Sequence, residues 1–201
     1  MIGLLAAVIA YLLGSIPFGY IIVRSLTGSD IRASGSGNIG ATNVLRTTGR
    51  AAGIVTLLLD CAKGYLAVWL ASWLTGGNPC WTSLAAVAAI LGHGYPVFLG
   101  FKGGKAVATT VGAFLFLTPA AIAAVTLVFV VAVALTRFIS LGSILAAGLF
   151  PLAVWLIAHP PFEVIYASLF AGAFIVYRHR ENIHRLREGN ERVLSLKGRK
   201  S

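Results

Sequence analysis

Long apolar segments separated by short polar connections make up almost the whole chain. We interpret seven of them as membrane-spanning helices, at residues 2–23, 51–74, 81–99, 106–117, 119–136, 140–158 and 162–177. About twenty apolar residues is the length that an α-helix needs to cross a bilayer. The pattern therefore predicts an all-α integral membrane protein with seven transmembrane helices, organised as a single polytopic domain over residues 1–201.

Two of the seven segments are irregular. Gly14-Ser15-Ile16-Pro17 interrupts the first, which a membrane helix tolerates where neighbouring groups satisfy the freed backbone. The 106–117 segment is too short to span, because twelve helical residues rise only about 18 Å and the hydrocarbon core is about 30 Å thick. We therefore expect the Gly-rich residues 100–105 to form a re-entrant loop before this short helix, and a locally thinned bilayer is the alternative.

Positive charges are confined to alternate connections. Of the 16 Lys and Arg, all but Lys63 fall after the first, third or fifth segment or in the C-terminal tail. The positive-inside rule then predicts that the N-terminus is outside and the C-terminus is cytoplasmic, with 177–201 as a basic interfacial tail. A composition of 58% hydrophobic and 11% charged residues excludes a soluble domain. The net charge of +10 could suggest a nucleic-acid partner, but the charges lie beside the spans, which argues against it.

Residues 34–50 have the composition of a phosphate-binding loop. They contain four glycines, several hydroxyl and amide side chains and two arginines, and no carboxylate lies between Asp30 and Asp60. Glycine lets backbone N–H groups approach an anion closely, and Arg46 adds a planar charged fork suited to phosphate. The loop matches neither the Walker motif nor the dinucleotide fingerprint. A flexible polar connection between two spans would have a similar composition.

Two further polar elements have the same character. In residues 100–105, two glycines precede Lys105 at the predicted start of a helix, where N–H groups attract anions. Lys105 as a simple topology charge is the alternative. After the last apolar segment, His179 and Asn182 are three residues apart and would share one helix face.

Ionisable side chains also occur inside the predicted spans. Asp60 and Lys63 are three residues apart, and each is costly in a membrane unless it is paired. We predict that they form an ion pair that supports the polar loops. His93, near the end of the third span, is interpreted as a hydrogen-bonding residue of helix packing, with a functional role as the alternative. Cys61 and Cys80 form no CxxC motif and are predicted to be packing residues.

Three donor-rich elements on one predicted membrane face indicate a site for an anionic ligand, favouring phosphate. An oily second substrate fits a site that borders lipid. No cysteine or Ser-His-Asp spacing indicates a covalent intermediate. The pattern therefore favours direct transfer from an activated donor with a phosphate leaving group, the protein supplying positioning and charge stabilisation. A transporter of small organic phosphates would use similar loops, and a structural lipid-binding protein would share the basic surface.

The three elements resemble known motifs. GSGNIGATNVLR (35–46), GHGYPVFLGFKGGK (92–105) and HRENI (179–183) resemble the motifs of the bacterial acyl-phosphate:glycerol-3-phosphate acyltransferases, the PlsY family, in order and spacing. The HxxxxD motif of soluble-type acyltransferases is absent, because no aspartate stands five residues after His93 or His159.

The resemblance implies an activity and a location. A long-chain acyl group would pass from acyl phosphate to the sn-1 hydroxyl of glycerol 3-phosphate, giving lysophosphatidic acid and inorganic phosphate. This is the first step of membrane phospholipid synthesis. The protein would be a multi-pass monomer in the bacterial cytoplasmic (inner) membrane, with its active site facing the cytoplasm. Its partners would be the two substrates and membrane lipid, and it would need no cofactor or metal.

The resemblance also assigns residues by position. The catalytic set is Ser36, Arg46, Lys105, His179 and Asn182. The substrate-binding set is Gly35, Gly37, Asn38, Gly40, Thr42, Asn43, Gly103, Gly104 and Glu191. Asn190 precedes Glu191 where the family pattern has threonine.

In the expected mechanism, the first loop, Arg46 and Lys105 bind the donor's phosphate. The second loop, His179 and Asn182 bind glycerol 3-phosphate, and its primary hydroxyl attacks the acyl carbon. Loop N–H groups and Ser36 stabilise the oxyanion. The general base is either His179, whose unperturbed pKa is about 6.5, or a substrate phosphate.

Overall fold

The computed structural model describes residues 1–194, and every regular element among them is a helix. This confirms the all-α prediction. Three basic residues of the predicted tail, Lys197, Arg199 and Lys200, lie outside the described residues. The chain forms two compact units, one from Met1 to Leu117 and one that begins at Thr118.

The first unit contains six α-helices. They are α1 (Ile2–Ser15), α2 (Phe18–Thr27), α3 (Ala41–Thr47), α4 (Arg50–Thr75), α5 (Pro79–Gly94) and α6 (Val107–Leu117), with 3₁₀ turns at Ile31–Ala33 and Val97–Leu99. The predicted interruption of the first span separates α1 from α2. Pro17 has no N–H and disfavours a helical conformation in the residue before it. Ile16 is accordingly extended, with φ −62° and ψ 116°.

Local signals set the helix ends between α4 and α5. Gly76, with φ 64°, adopts the left-handed conformation that ends α4. Asn78 caps α5 by accepting hydrogen bonds from the backbone N–H groups of Cys80 and Trp81, and Pro79 occupies the first turn. The α5 helix ends at Gly94, five residues before the end of the predicted third span, so the second polar loop is longer than the sequence pattern indicates.

Small residues let the helices of the first unit approach closely. Six buried alanines form one cluster on α1, α4 and α5: Ala6, Ala10, Ala67, Ala71, Ala85 and Ala89. Added Cβ atoms on Gly14, Gly64 and Gly112 would lie 2.1 Å from Ala89 O, 2.1 Å from Thr109 O and 1.8 Å from Cys61 O, respectively. Because lipid gives no hydrophobic driving force between helices, such close van der Waals packing stabilises the bundle.

The described part of the second unit, residues 118–194, contains four α-helices. They are α7 (Pro119–Thr136), α8 (Ile139–Ala153), α9 (Phe162–Arg178) and α10 (Arg180–Arg187). After Pro151, which cannot donate to the helical ladder, α8 continues as a π-helical turn over Val154–Ala158. Arg137, with φ 62°, ends α7. Its carbonyl accepts a 2.8 Å hydrogen bond from Leu194 N–H, which returns the segment after α10 to the α7–α8 turn.

Helices occupy all seven predicted places. Among the described residues, five helical segments are long and apolar enough to cross a membrane: Ile2–Thr27, Arg50–Thr75, Pro79–Leu99, Pro119–Thr136 and Ile139–Ala158. The fourth predicted segment is the short helix Val107–Leu117, which rises only about 16 Å. The count of seven spans, their orientation and the single-domain organisation stay predictions.

Candidate active site

Apolar side chains anchor the first polar loop from beneath. A buried cluster joins the loop to α2 and α4: Val23, Ile31, Ile39, Val44 and Ala52. Leu99, from the second loop, packs against the same cluster. The first loop is therefore a folded structure and not the flexible connection considered above. Leu99 brings the second loop into contact with it.

Asn43 organises the first loop from within. Asn43 is buried, with only 2% of its surface exposed. Its Oδ1 accepts from the backbone N–H of Ser36 at 2.9 Å, and its Nδ2 donates to Ser34 O at 3.0 Å and Asn38 O at 2.8 Å. Because the amide donors are used inside the loop, the side chain of Asn43, predicted to bind substrate, shapes the loop that surrounds it.

Glycines close the turn over Asn43. Gly35 has φ 62°, and an added Cβ there would lie 2.2 Å from Asn43 Oδ1. Gly37 has φ 70°, and its N–H donates to Ser34 O at 3.0 Å. Both backbone conformations are rare for residues with side chains. Gly35 and Gly37 are therefore required by the loop conformation itself.

The end of the loop leads into the short helix α3. The Oδ1 of Asn38 accepts from Gly40 N–H at 2.8 Å, and Gly40 O accepts from the N–H of Asn43 in the first turn. Thr42 and Arg46 are half-buried and four residues apart, so they share one face of the helix. Arg46 thus lies on a helix and not in the loop proper.

Ser36 lies at the exposed side of the same loop. Its backbone N–H is bound to Asn43, so its position depends on that buried amide. No carboxylate occurs between Asp30 and Asp60 in the sequence. The loop and α3 together therefore combine hydroxyl and guanidinium groups in a segment without acidic side chains, which suits an anionic ligand.

The second loop packs directly on His93, in the last turn of α5. Gly104 N–H donates to His93 O at 3.0 Å. A Cβ on Gly103 would lie 2.2 Å from His93 O, and one on Gly104 would lie 2.1 Å from His93 Nε2. Close packing therefore requires both glycines. Lys105 follows them, half-buried, just before α6 begins.

Behind this loop lies a buried polar network. Lys63 Nζ is 2.8 Å from Asp60 Oδ1, which confirms the predicted ion pair. Lys63 also donates to Ile16 O at 2.7 Å, where the helical ladder is interrupted. His93 Nδ1 lies 3.1 Å from Thr109 Oγ1 and 3.6 Å from Asp60 Oδ1. His93 therefore links α4, α5 and α6, in agreement with a role in helix packing.

In the second unit, His179 occupies the junction of α9 and α10 and is 3% exposed. Its Nδ1 lies 2.8 Å from Ile175 O. A carbonyl oxygen only accepts hydrogen bonds, so Nδ1 carries the proton in this contact. In the neutral ring the lone pair is then on Nε2, which is the arrangement that a general base needs.

Asn182 and Glu191 belong to one hydrogen-bonded cluster. Glu191 Oε1 accepts from Asn182 Nδ2 at 2.8 Å and from Ser140 Oγ at 3.0 Å, and Oε2 accepts from Arg185 Nε at 2.9 Å. Burial by itself raises the pKa of Glu191, but hydrogen bonds from Asn182, Arg185 and Ser140 outweigh it and lower the pKa below its usual value. The carboxylate, 4% exposed, orients the Asn182 amide.

No sequence pattern predicts Ser140 or the role of Arg185. Ser140 is 51 residues from Glu191 and lies at the start of an apolar span. Arg185 is one of several basic residues that a membrane-surface tail would also contain. Among residues 1–194 no group of three His, Cys, Asp or Glu side chains could hold a metal ion.

The structure therefore joins some of the predicted site residues inside each unit. In the first unit, Leu99 packs against the apolar cluster beneath the first loop. In the second unit, Asn182 donates to Glu191, and His179 lies at the start of the helix that carries Asn182. The convergence of all three elements on one site stays a prediction, as does each residue's contact with substrate.

Comparison with known proteins connects this geometry to an activity. A family model described as glycerol-3-phosphate acyltransferase matches residues 4–189. A glycerol-3-phosphate acyltransferase of Geobacter sulfurreducens is 49% identical over 188 residues, which cover 94% of this chain and 95% of that protein. One of Syntrophomonas wolfei is 46% identical over 190 residues, covering 94% and 96%.

Solved structures agree over nearly the whole length. The crystal structure of PlsY (YgiH), an integral membrane glycerol 3-phosphate acyltransferase, in its glycerol 3-phosphate form, has a TM-score of 0.90 at 39% identity and covers 96% of each chain. The lysophosphatidic acid form of that protein has a TM-score of 0.87 at 38% identity, covering 96% of this chain and 95% of its own.

The first prediction tests whether Asn43 and Gly35 form one unit. Gly35→Ala should raise the rate of amide hydrogen exchange at Ser36 and its neighbours at least about fivefold. An alanine in the left-handed backbone conformation costs about 1–2 kcal/mol, and its Cβ would displace Asn43. The measurement is hydrogen exchange by mass spectrometry on peptides covering 34–44. Gly28→Ala is the matched control, with φ 69° but no atom within 4 Å of its Cβ. Equal protection of 34–44 in both variants would contradict the prediction.

The second prediction concerns the charge of Glu191. Its folded-state pKa lies below the ordinary value of about 4.3. The ionised carboxylate therefore stabilises the folded protein at pH values above its ordinary pKa. This stabilisation is lost as pH falls through the folded-state pKa. Wild type should exceed Glu191→Gln in melting temperature near neutral pH, and the difference should shrink in acid.

The measurement is the melting temperature of each variant in detergent, from neutral pH down into acid. Glu188→Gln is the control, because the Glu188 side chain is 48% exposed and its contact with His184 is worth little. A Glu191→Gln difference that does not change with pH would show that the carboxylate's charge contributes nothing.

Proposed function

This chain belongs to the glycerol-3-phosphate acyltransferase family, and from that premise we propose that it transfers a long-chain acyl group from acyl phosphate to the sn-1 hydroxyl of glycerol 3-phosphate. The products are lysophosphatidic acid and inorganic phosphate. Family membership confirms the resemblance found in the three motifs, and with it the assignment as a membrane acyltransferase of lipid synthesis.

One observation carries the proposal beyond family membership. The first loop is closed from within by Asn43 and supported by a buried apolar cluster. It contains Ser36 and leads into α3, which carries Arg46, in a stretch without carboxylates. A rigid, acid-free loop of this kind favours a phosphate-bearing donor, because preorganised donors lose little entropy when they bind.

The donor's phosphate is bound by the first loop and Arg46, and Lys105 shares its charge. The second loop, His179 and Asn182 bind glycerol 3-phosphate. Glu191 acts through Asn182, because its carboxylate accepts a hydrogen bond from that amide and leaves the amide oxygen oriented. Holding both substrates in this way supplies the proximity that a direct transfer requires.

The reaction is a single displacement at the acyl carbon. The primary hydroxyl oxygen of glycerol 3-phosphate forms a bond to that carbon, and the carbonyl oxygen becomes an oxyanion stabilised by Ser36 and loop N–H groups. The bond from the acyl carbon to the phosphate oxygen then breaks, and inorganic phosphate leaves. The hydroxyl proton passes to His179 Nε2 or to a substrate phosphate oxygen, and the tautomer set by Ile175 O favours His179.

We further propose seven spans in the bacterial inner membrane, with the N-terminus outside and the C-terminus in the cytoplasm. The confinement of Lys and Arg to alternate connections supports this orientation. The active site would then face the cytoplasm, and the chain would act as a monomer and a single membrane domain.

Turnover by the purified protein tests the proposal. With palmitoyl phosphate and sn-glycerol 3-phosphate together, wild type should release phosphate and form lysophosphatidic acid in equal amounts. Arg46→Ala and Asn182→Ala should lower kcat/KM by about 100-fold or more, since each removes a charge-stabilising or orienting group. A folded wild type without turnover would reject acyl transfer from this donor. Uptake of labelled glycerol 3-phosphate into vesicles would then favour the transporter alternative.

His179→Gln separates the two candidate bases. If His179 takes the proton, kcat should fall by about 100-fold or more, because general base catalysis contributes about 100- to 10,000-fold. Full activity at neutral pH in this variant would assign the proton to a substrate phosphate. The exposed His184→Gln serves as the control.

A further inference from the structure

A buried polar chain connects the α1–α2 break to the second loop. Lys63 Nζ donates to Ile16 O at 2.7 Å and pairs with Asp60 Oδ1 at 2.8 Å. Asp60 Oδ1 lies 3.6 Å from His93 Nδ1. The ring and carbonyl of His93 contact Gly104. No step of the proposed reaction uses Asp60, Lys63 or His93.

Stability alone is a weak reason for such a chain. Asp60, Lys63 and His93 are 2%, 3% and 4% exposed, respectively, so each is removed from solvent. Buried charges cost several kcal/mol each to desolvate, and replacing a buried ion pair by apolar side chains is often neutral or stabilising. Ionisable groups inside membrane helices are therefore expected to serve the function of the protein.

The contacts of His93 show what the chain positions. Thr109 Oγ1 at 3.1 Å and Asp60 set the orientation of the imidazole through Nδ1. The opposite edge of the ring leaves no room for a Cβ on Gly104, which would lie 2.1 Å from Nε2. A rotated or displaced ring would therefore push Gly104, and Lys105 follows Gly104 directly.

We propose that Asp60, Lys63 and His93 are positioning residues that fix the Gly103-Gly104 segment of the second loop in the conformation that binds glycerol 3-phosphate. The inference rests on the proposed role of the second loop in binding that substrate. It assigns to the buried ion pair a function in ligand affinity, in addition to its contribution to helix packing.

Binding of sn-glycerol 3-phosphate, measured by calorimetry on the full chain in detergent or nanodiscs, tests this role without any acyl donor. Asp60→Asn should weaken binding by about tenfold or more, because a displacement of 1 Å at a site can cost about 100-fold. Thr56→Val is the matched control. Thr56 is buried on the same helix, one turn from Asp60, and its hydroxyl donates to Ala52 O in its own helix. This variant should bind like wild type.

The double variant Asp60→Asn/Lys63→Met separates positioning from stability. It removes both charges of the pair, so its melting temperature should return towards that of wild type, whereas its affinity should stay low because His93 has lost its carboxylate. Affinity that recovers together with stability would overturn the inference. If neither Asp60 variant folds, His93→Gln, which keeps the ion pair, decides in the same assay.

Failure of the inference and failure of the proposed function give different results. If the folded Asp60→Asn variant binds glycerol 3-phosphate with the affinity of wild type, only the positioning role is overturned. Wild type that does not bind glycerol 3-phosphate overturns the proposed function and this inference together. Wild type that binds it but does not turn over acyl phosphate rejects only the donor.

Discussion

The contact between Lys63 and the carbonyl of Ile16 is the constraint on which the first unit depends. Pro17 interrupts the first membrane segment, and the interruption leaves the carbonyl of Ile16 outside the regular helical ladder, where it accepts from Phe18 N–H at 3.2 Å. Lys63 donates a second hydrogen bond to it, and Asp60 compensates the charge that Lys63 brings. Beyond the break, Gly19 packs so closely on the first loop that a Cβ would lie 1.9 Å from Ile39 O. The same break therefore positions α2 against the first loop and leads, through Asp60 and His93, to the second.

Glycine has a packing role in both loops, in addition to the conformational freedom that composition alone indicates. Gly35 makes room for the buried amide of Asn43, and Gly104 makes room for the imidazole of His93. In each loop a polar side chain from the protein occupies the position next to the glycine, so the backbone is held in one conformation. Such a preorganised loop can direct N–H groups at an anion without a large entropy cost on binding.

The second unit applies the same principle with a carboxylate. Glu191 collects hydrogen bonds from α8 and α10, and the Leu194–Arg137 contact secures the segment that carries it. Residues 191–194 are therefore part of the unit's structure, and the orientation of Asn182 depends on a residue nine positions later. In both units, residues predicted to bind substrate are therefore supported by a buried polar side chain, Asn43 in the first unit and Glu191 in the second.

The sequence by itself determined the class of protein, the places of the helices and the three polar elements, because apolar length, proline and glycine act locally. It also indicated the Asp60–Lys63 pair, since three residues separate its members on one helix. The end of α5 at Gly94, the internal role of Asn43, and the partnership of Ser140 and Arg185 with Glu191 were decided by the tertiary structure. Each depends on contacts that no spacing encodes: Asn43 could have faced a ligand equally well until the folded loop placed three backbone groups around its amide.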